Sequence, residues 1–199
     1  AVQAGYPGYE ETAWTTLQLG QLYQRYGQLE KAKAQYLSIL EGRPNYPFAI
    51  AALAEIEMLN QNYEQAEKLL IQACEIIPEV GFFEQLAHLY FETGRKEEGE
   101  KLIPEILAML QDDVDSGHNM NLEYAAIYTD LIKDFNEALD FVLAEYEKRP
   151  KNIDVNKMLS ELYYQKGNIG LAKGHLDKAY VTNSRDPDLK KLELALKKI

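Results

Sequence analysis

The sequence predicts an all-α chain: about five helical hairpins stacked side by side into an α-solenoid, closed by one C-terminal helix. Three observations carry this. The stretch from Leu19 to Pro44 reads Leu19-Gly20, Tyr23, Gly27, Ala32, Tyr36, Pro44, which is an amphipathic helix, a glycine turn, a second amphipathic helix and a proline stop. A shift of 34 residues recovers Leu53, Ala54, Ala66, Leu70 and Pro78, and weaker copies begin near Phe83, Leu122 and Asn156. A period in the thirties made of two helices is an array in which each unit buries its apolar face on its neighbours. The 199 residues are 46% hydrophobic and 27% charged, the composition of a folded chain with enough apolar surface to build that array.

The first nine residues carry Gly5, Pro7 and Gly8 without periodicity and read as a loose arm. A helix starts near Glu10, where Glu10 and Glu11 suit the positive end of the helix dipole, and runs to about Tyr26. Gly27 ends it in the left-handed conformation. The second helix, about Leu29 to Glu41, presents Ala32, Tyr36, Ile39 and Leu40, and Gly42 and Pro44 stop it. The second unit starts at Pro47, with Ile50, Leu53, Ala54, Ala66 and Leu70, and closes at Pro78; it has Glu57 where the first has Tyr23. The third has Phe83, Leu86-Ala87, Tyr90, Gly94, Gly99 and Ile103, with Pro104 expected to kink its second helix. The register then slips by a few residues, and 111–117 reads as a solvent loop and hinge. The fourth unit has Leu122, Ala125-Ala126, Thr129, Ala138, Val142 and Pro150; the fifth has Leu159-Ser160, Tyr163, Gly167, Ala172, Leu176 and Ala179. The expected bounds are about 13–46, 47–80, 81–112, 118–152 and 153–185, and 186–199 is a capping helix begun by Asp186 and Pro187.

These residues resemble the tetratricopeptide repeat. The family pattern places a large residue, Leu-Gly and Tyr on the first helix, Ala and an aromatic on the second, and Pro at the end; here those places hold Thr16, Leu19-Gly20, Tyr23, Ala32, Tyr36 and Pro44. Gly20 and Ala32 are small because two helix backbones cross there, and Tyr23 and Tyr36 fill the volume beside them. The resemblance covers roughly residues 11 to 187 and implies a right-handed superhelix whose first helices line a concave groove.

The formal net charge is −11, and between Glu97 and Glu147 fourteen acidic residues face two lysines, so the rest of the chain sums to +1. An acidic body without basic patches speaks against nucleic acid. The acidic run reads as a solvated face, or as a field that steers a basic partner. No apolar run reaches the ~20 residues that span a bilayer. The compartment stays open. One cysteine, Cys74, leaves no internal disulfide and no cysteine-based zinc site, and it reads as a packed thiol.

Catalytic constellations are absent from the pattern: His88, His118 and His175 are scattered, and no serine sits in a nucleophile elbow. Asp112, Asp113 and Asp115 before Gly117 fail the spacing of a calcium loop, leaving weak surface binding as the most they offer. No enzyme activity, cofactor or metal is expected. The groove implied by the resemblance nominates Trp14, Leu17, Gln21, Gln24 and Arg25 in the first unit, and Phe48, Ala51, Glu55, Met58 and Leu59 in the second. It adds Glu84, His88, Phe91 and Glu92 in the third, Met120, Glu123, Ile127, Asp130 and Leu131 in the fourth, and Asp154, Lys157, Glu161, Tyr164 and Gln165 in the fifth. One subfamily grips acidic C-terminal tails with Lys, Asn and Arg; the matching places here hold Leu17 and Gln21, Ala52, and Glu84 with His88, so acidic tails are not expected to bind. Apolar side chains beside carboxylates suit a peptide with hydrophobic anchors and some Lys or Arg. The expected function is a non-catalytic adaptor or scaffold. Self-association through the groove, the arm or the terminal helix is the alternative, and an enzyme's regulatory subunit the remote one.

Overall fold

The computed structural model describes residues 8–182 and 186–198. The described residues are all-α and contain no strand. The helices are α1 (Glu10–Arg25), α2 (Leu29–Gly42), α3 (Pro47–Leu59), α4 (Tyr63–Ile76), α5 (Val80–Glu92), α6 (Lys96–Asp115), α7 (Asn121–Ile127), α8 (Phe135–Lys148), α9 (Ile153–Gln165), α10 (Ile169–Ala179) and α11 (Pro187–Lys197). A π turn, Tyr128–Ile132, extends α7. The chain forms two compact units, Ala1–Ile106 and Leu107–Ile199, and the boundary falls inside α6. Most of the arm expected over residues 1–9 and the end of the fifth expected repeat lie outside the described residues.

The hairpin turns show why the period exists. One residue in each has a left-handed backbone: Gly27, Gln61, Gly94, Lys133 and Gly167, at φ between 62° and 79°. In four of them a backbone N–H reaches the carbonyl five residues back, as from Gln28 to Tyr23 (2.9 Å), Asn62 to Glu57 (2.8 Å), Arg95 to Tyr90 (2.8 Å) and Asn168 to Tyr163 (2.8 Å). That bond satisfies a helix-end carbonyl that would otherwise be orphaned. In the turn after α7 the bond runs from Asp134 to Tyr128 (2.9 Å), six residues back. The π turn therefore holds one extra residue, and Lys133 takes the left-handed place without a glycine.

In unit 1, α1, α2 and α3 share a core of Ala13, Leu17, Ala32, Tyr36, Ile39, Ala49 and Ile56, and α3, α4 and α5 share another around Ala54, Ala66, Leu70, Phe82 and Leu89. The α3 helix buries eight of its thirteen residues because hairpins flank it on both sides. Each fully buried Leu, Ile or Phe contributes about 1.5–3 kcal/mol of transfer free energy. Cys74 packs against the second core, and burial pushes its thiol up to about 11, the state of an inert thiol.

Unit 2 has one core from α7, α8 and α9 around Ala125, Ala138, Val142, Val155 and Leu159, and another from α10 and α11 around Ala172, Leu176, Leu189, Leu192 and Leu196. Side chains cap its helices: Asp134 accepts from the N–H groups of Asn136 (3.0 Å) and Glu137 (3.2 Å), Asn152 from Val155 (3.0 Å), and Asp186 from Asp188 (2.8 Å).

The solvent loop expected over 111–117 is corrected. Helix α6 runs unbroken through Asp115, and only Ser116 and Gly117 turn, with Gly117 at φ 92°. Leu110 is fully buried, so the residues after Pro104 keep an apolar face that favours helix. Asp112, Asp113 and Asp115 therefore fan around a helix instead of converging on a loop, and Gln111 donates to Asp115 at 2.8 Å.

Candidate protein-interaction surface

Within unit 1, α1 touches α3 and α3 touches α5, whereas α2 and α4 do not approach one another to that degree. The leading helices thus form a wall of neighbouring helices in unit 1. The first crossing is close because Gly20 has no side chain: a Cβ there would lie 2.3 Å from the ring of Tyr36. The Tyr36 ring lies beneath Gly20 and its hydroxyl donates to Gln24 Oε1 at 3.0 Å. Burial, with Glu55 adding to it, pushes that hydroxyl's pKa upward. Gly99 has the same task in the third hairpin, where the Phe91 ring would meet a Cβ at 3.0 Å.

Along this wall Trp14 is 51% exposed and Leu59 58%, while Gln21, Arg25, Glu55 and Glu92 are exposed. Met58 and Phe91 are partly covered, Met58 by the second core. Phe48 is mostly structural: it meets Phe82 edge-on at 5.5 Å and Tyr46 at 5.7 Å. Glu84 and His88 stand one turn apart on α5, Oε1 to Nε2 3.8 Å. The nominations of Leu17 and Ala51 are corrected: they are 1% and 2% exposed and belong to the two cores. Ile127 and Leu131 are buried as well, at 1% and 6%, and offer a partner no surface.

The α3 and α5 part of the wall is acidic, while α1 adds Arg25. Helices α3 and α5 carry Glu55, Glu57, Glu84 and Glu92 and no Lys or Arg. Glu57 is neutralised by Lys33 of the preceding hairpin's second helix (2.8 Å), and this bond with one from Asn62 of its own turn (2.8 Å) holds its carboxyl below the usual range. Glu92 accepts from the Tyr63 hydroxyl at 3.1 Å. Glu10 is tied to Arg43 at 2.6 Å and to the Tyr46 hydroxyl at 2.9 Å.

In unit 2 two of the side chains nominated on α9 serve the chain's own last helix. Lys157 pairs with Asp188 of α11 at 3.2 Å, and Tyr164 packs on the α10–α11 core. Burial raises the Glu161 carboxyl; Lys157 opposes this, while Asp188, Asp130 and Asp186 add to it. Glu123 and Asp130 are exposed. A sequence pattern shows that α11 is amphipathic but not which helix receives it.

Three polar arrangements were not legible in the pattern. Glu145 of α8, 1% exposed, accepts from Asn119, from Asn121 at 3.3 Å and from Arg149. Burial pushes its carboxyl up, and those hydrogen bonds outweigh it and hold it below the usual range. Asn156, fully buried, donates to the carbonyls of Pro150 (2.9 Å) and Asn152 (2.7 Å), so its Oδ1 faces His175 Nδ1 at 3.0 Å and fixes the proton there. The imidazole lies between Tyr163 and Tyr146, and burial lowers its pKa, with Lys178 contributing. Arg95 joins Glu98 (2.7 and 2.6 Å) to Glu67 (2.7 Å) over the Tyr90 ring, clasping the α5–α6 turn to α4. No described helix is long and apolar enough to cross a membrane.

No family profile and no curated protein matches the sequence. Solved structures do match the fold. TTC0263, a thermophilic tetratricopeptide repeat protein of Thermus thermophilus, aligns at a TM-score of 0.67 with 19% identity over 94% of this chain and 100% of its own. A tetratricopeptide repeat protein of Parabacteroides merdae aligns at 0.59 with 18% identity, covering 96% of this chain and 73% of its own. PilF of Pseudomonas aeruginosa aligns at 0.53 with 19% identity, covering 95% and 84%. The arrangement of helices is that of tetratricopeptide repeat proteins.

Proposed function

We propose that this chain, built on the tetratricopeptide repeat fold, is a non-catalytic protein-interaction module, an adaptor or scaffold. The wall of unit 1 receives a peptide segment with apolar anchors and flanking Lys or Arg. One observation carries the reading: α3 and α5, which have no Lys or Arg of their own, carry Glu55, Glu84 and Glu92 on the helices that bear the exposed Leu59 and the partly exposed Met58 and Phe91, with Trp14 on α1. Anchors of this kind, once buried, contribute about 2 kcal/mol or more each. The carboxylates select the sign of the partner and speed its approach.

Trp14 is the chain's single tryptophan and is exposed on α1, so its emission reports on a segment that spans the leading helices. Binding of a basic amphipathic peptide is expected to shift that emission to the blue, and salt near ~0.5 M to weaken the complex by shortening the Debye length. Glu55→Lys with Glu92→Lys should abolish the shift. An acidic peptide of the same apolar pattern binding equally well, or an affinity indifferent to both substitutions, would overturn the reading.

A further inference from the structure

Helix α11 has two opposite faces. Leu189, Leu192 and Leu196 are buried against α10, whereas Lys190, Lys191, Leu194, Lys197 and Lys198 are all exposed. The exposed five recur at spacings of three and four residues and so share one side of the helix. Leu194, 50% exposed, sits at the middle with two lysines one turn before it and two one turn after. Two of those lysines share one carboxylate: Glu193 meets Lys190 at 2.6 Å and also Lys197. Hydrogen bonds from Lys190 and then Lys197 hold the Glu193 carboxyl down at about 2. Lys191 and Lys198 make no ion pair among the described residues.

An apolar side chain between lysines is the chemistry that the wall of unit 1 is read to accept. We propose that the occupant of that wall is the exposed face of α11 from a second copy of this chain, which associates head to tail. Leu194 meets Met58 and Leu59 at the end of α3, and Lys191 and Lys198 face Glu55 and Glu92. The leucines that seat α11 in its own unit point the other way, so docking requires no unfolding. The two surfaces are different, so the contact is heterologous and each copy has one of each to offer.

This inference rests on the proposed role of the wall, and the test separates the two. At low salt, sedimentation of the intact chain over a roughly hundredfold dilution series should show mass rising with concentration, and salt near ~0.5 M should suppress the rise. Lys191→Glu with Lys198→Glu should abolish association, as should Glu55→Lys with Glu92→Lys. All four positions are at the surface, and circular dichroism checks that each variant keeps its helices. Mixing the two variants should restore association, because the intact wall of one meets the intact α11 of the other and the two reversed surfaces again carry opposite charge. A chain that stays monomeric at every concentration in low salt, or a mixture that does not pair, overturns the inference. If a basic peptide still shifts Trp14 emission in that monomer, the wall's role survives and only the second copy is wrong. If neither binds, both fail.

Discussion

Gly20→Ala is the most informative single perturbation. Its Cβ would stand 2.3 Å from Tyr36 Cε1, 2.9 Å from Cδ1 and 3.0 Å from Cζ. Carbon atoms in contact sit about 3.5–4.0 Å apart, so the overlap exceeds 1 Å. Tyr36 has no room to retreat, being fully buried with its hydroxyl tied to Gln24. Over-packing of this kind costs about 1–3 kcal/mol, and the pinned ring places it at the upper end. Alanine is worth about 1 kcal/mol more than glycine inside a helix, which leaves a net loss near 2 kcal/mol. With an m-value of about 2 kcal/mol/M, the urea midpoint should fall by about 1 M. The second hairpin shows the remedy: the matching positions there hold Ala54 and Leu70, both fully buried. Gly20→Ala combined with Tyr36→Leu should therefore cost less than the two changes added together, with a coupling of about 1 kcal/mol or more. A neutral Gly20→Ala, or a double variant whose cost equals the sum, would refute the argument that this pair sets the helix crossing.

The turn residues make a second prediction: Gln61→Gly and Lys133→Gly should each raise stability by about 0.5–1 kcal/mol. The relief of a left-handed L-residue, about 1–2 kcal/mol, exceeds the entropy glycine adds to the unfolded chain; Gly94→Ala should move the urea midpoint the other way. His175 has a folded pKa below its unfolded one, so the folded chain binds fewer protons and stability is lost as the pH falls below about 6.5. Unfolding followed against pH should show that slope, and His175→Gln should remove it. Glu145 has the opposite ionic preference: its stabilisation is present above the ordinary carboxylate range and is lost as the pH falls through its lowered folded value. Glu145→Ala should cost about 1–3 kcal/mol by removing the charged acceptor shared by Asn119, Asn121 and Arg149, with hydrogen exchange accelerated first in the 116–121 connection.

The helices and their turns were legible because their causes are local. Apolar spacing, Gly27, Gly94 and Gly167 at turns, and the small Gly20 and Gly99 at crossings all act within one hairpin. The length of α6 and the π turn were not, since both depend on which residues the surrounding structure covers. The candidate wall was half legible for the same reason. One repeat position holds Leu17, Ala51 and Glu84, yet the first two are in cores and the third is partly exposed. Another holds Leu22, Ile56 and Leu89: the last two are 1% exposed and Leu22 is 52% exposed, since no described hairpin precedes α1. The sequence by itself determined the repeat, the all-α class and the acidity of the leading helices, all of which follow from residue type and spacing. Only the tertiary structure decided which of those residues meet water, because burial belongs to the neighbouring hairpin as much as to the residue itself.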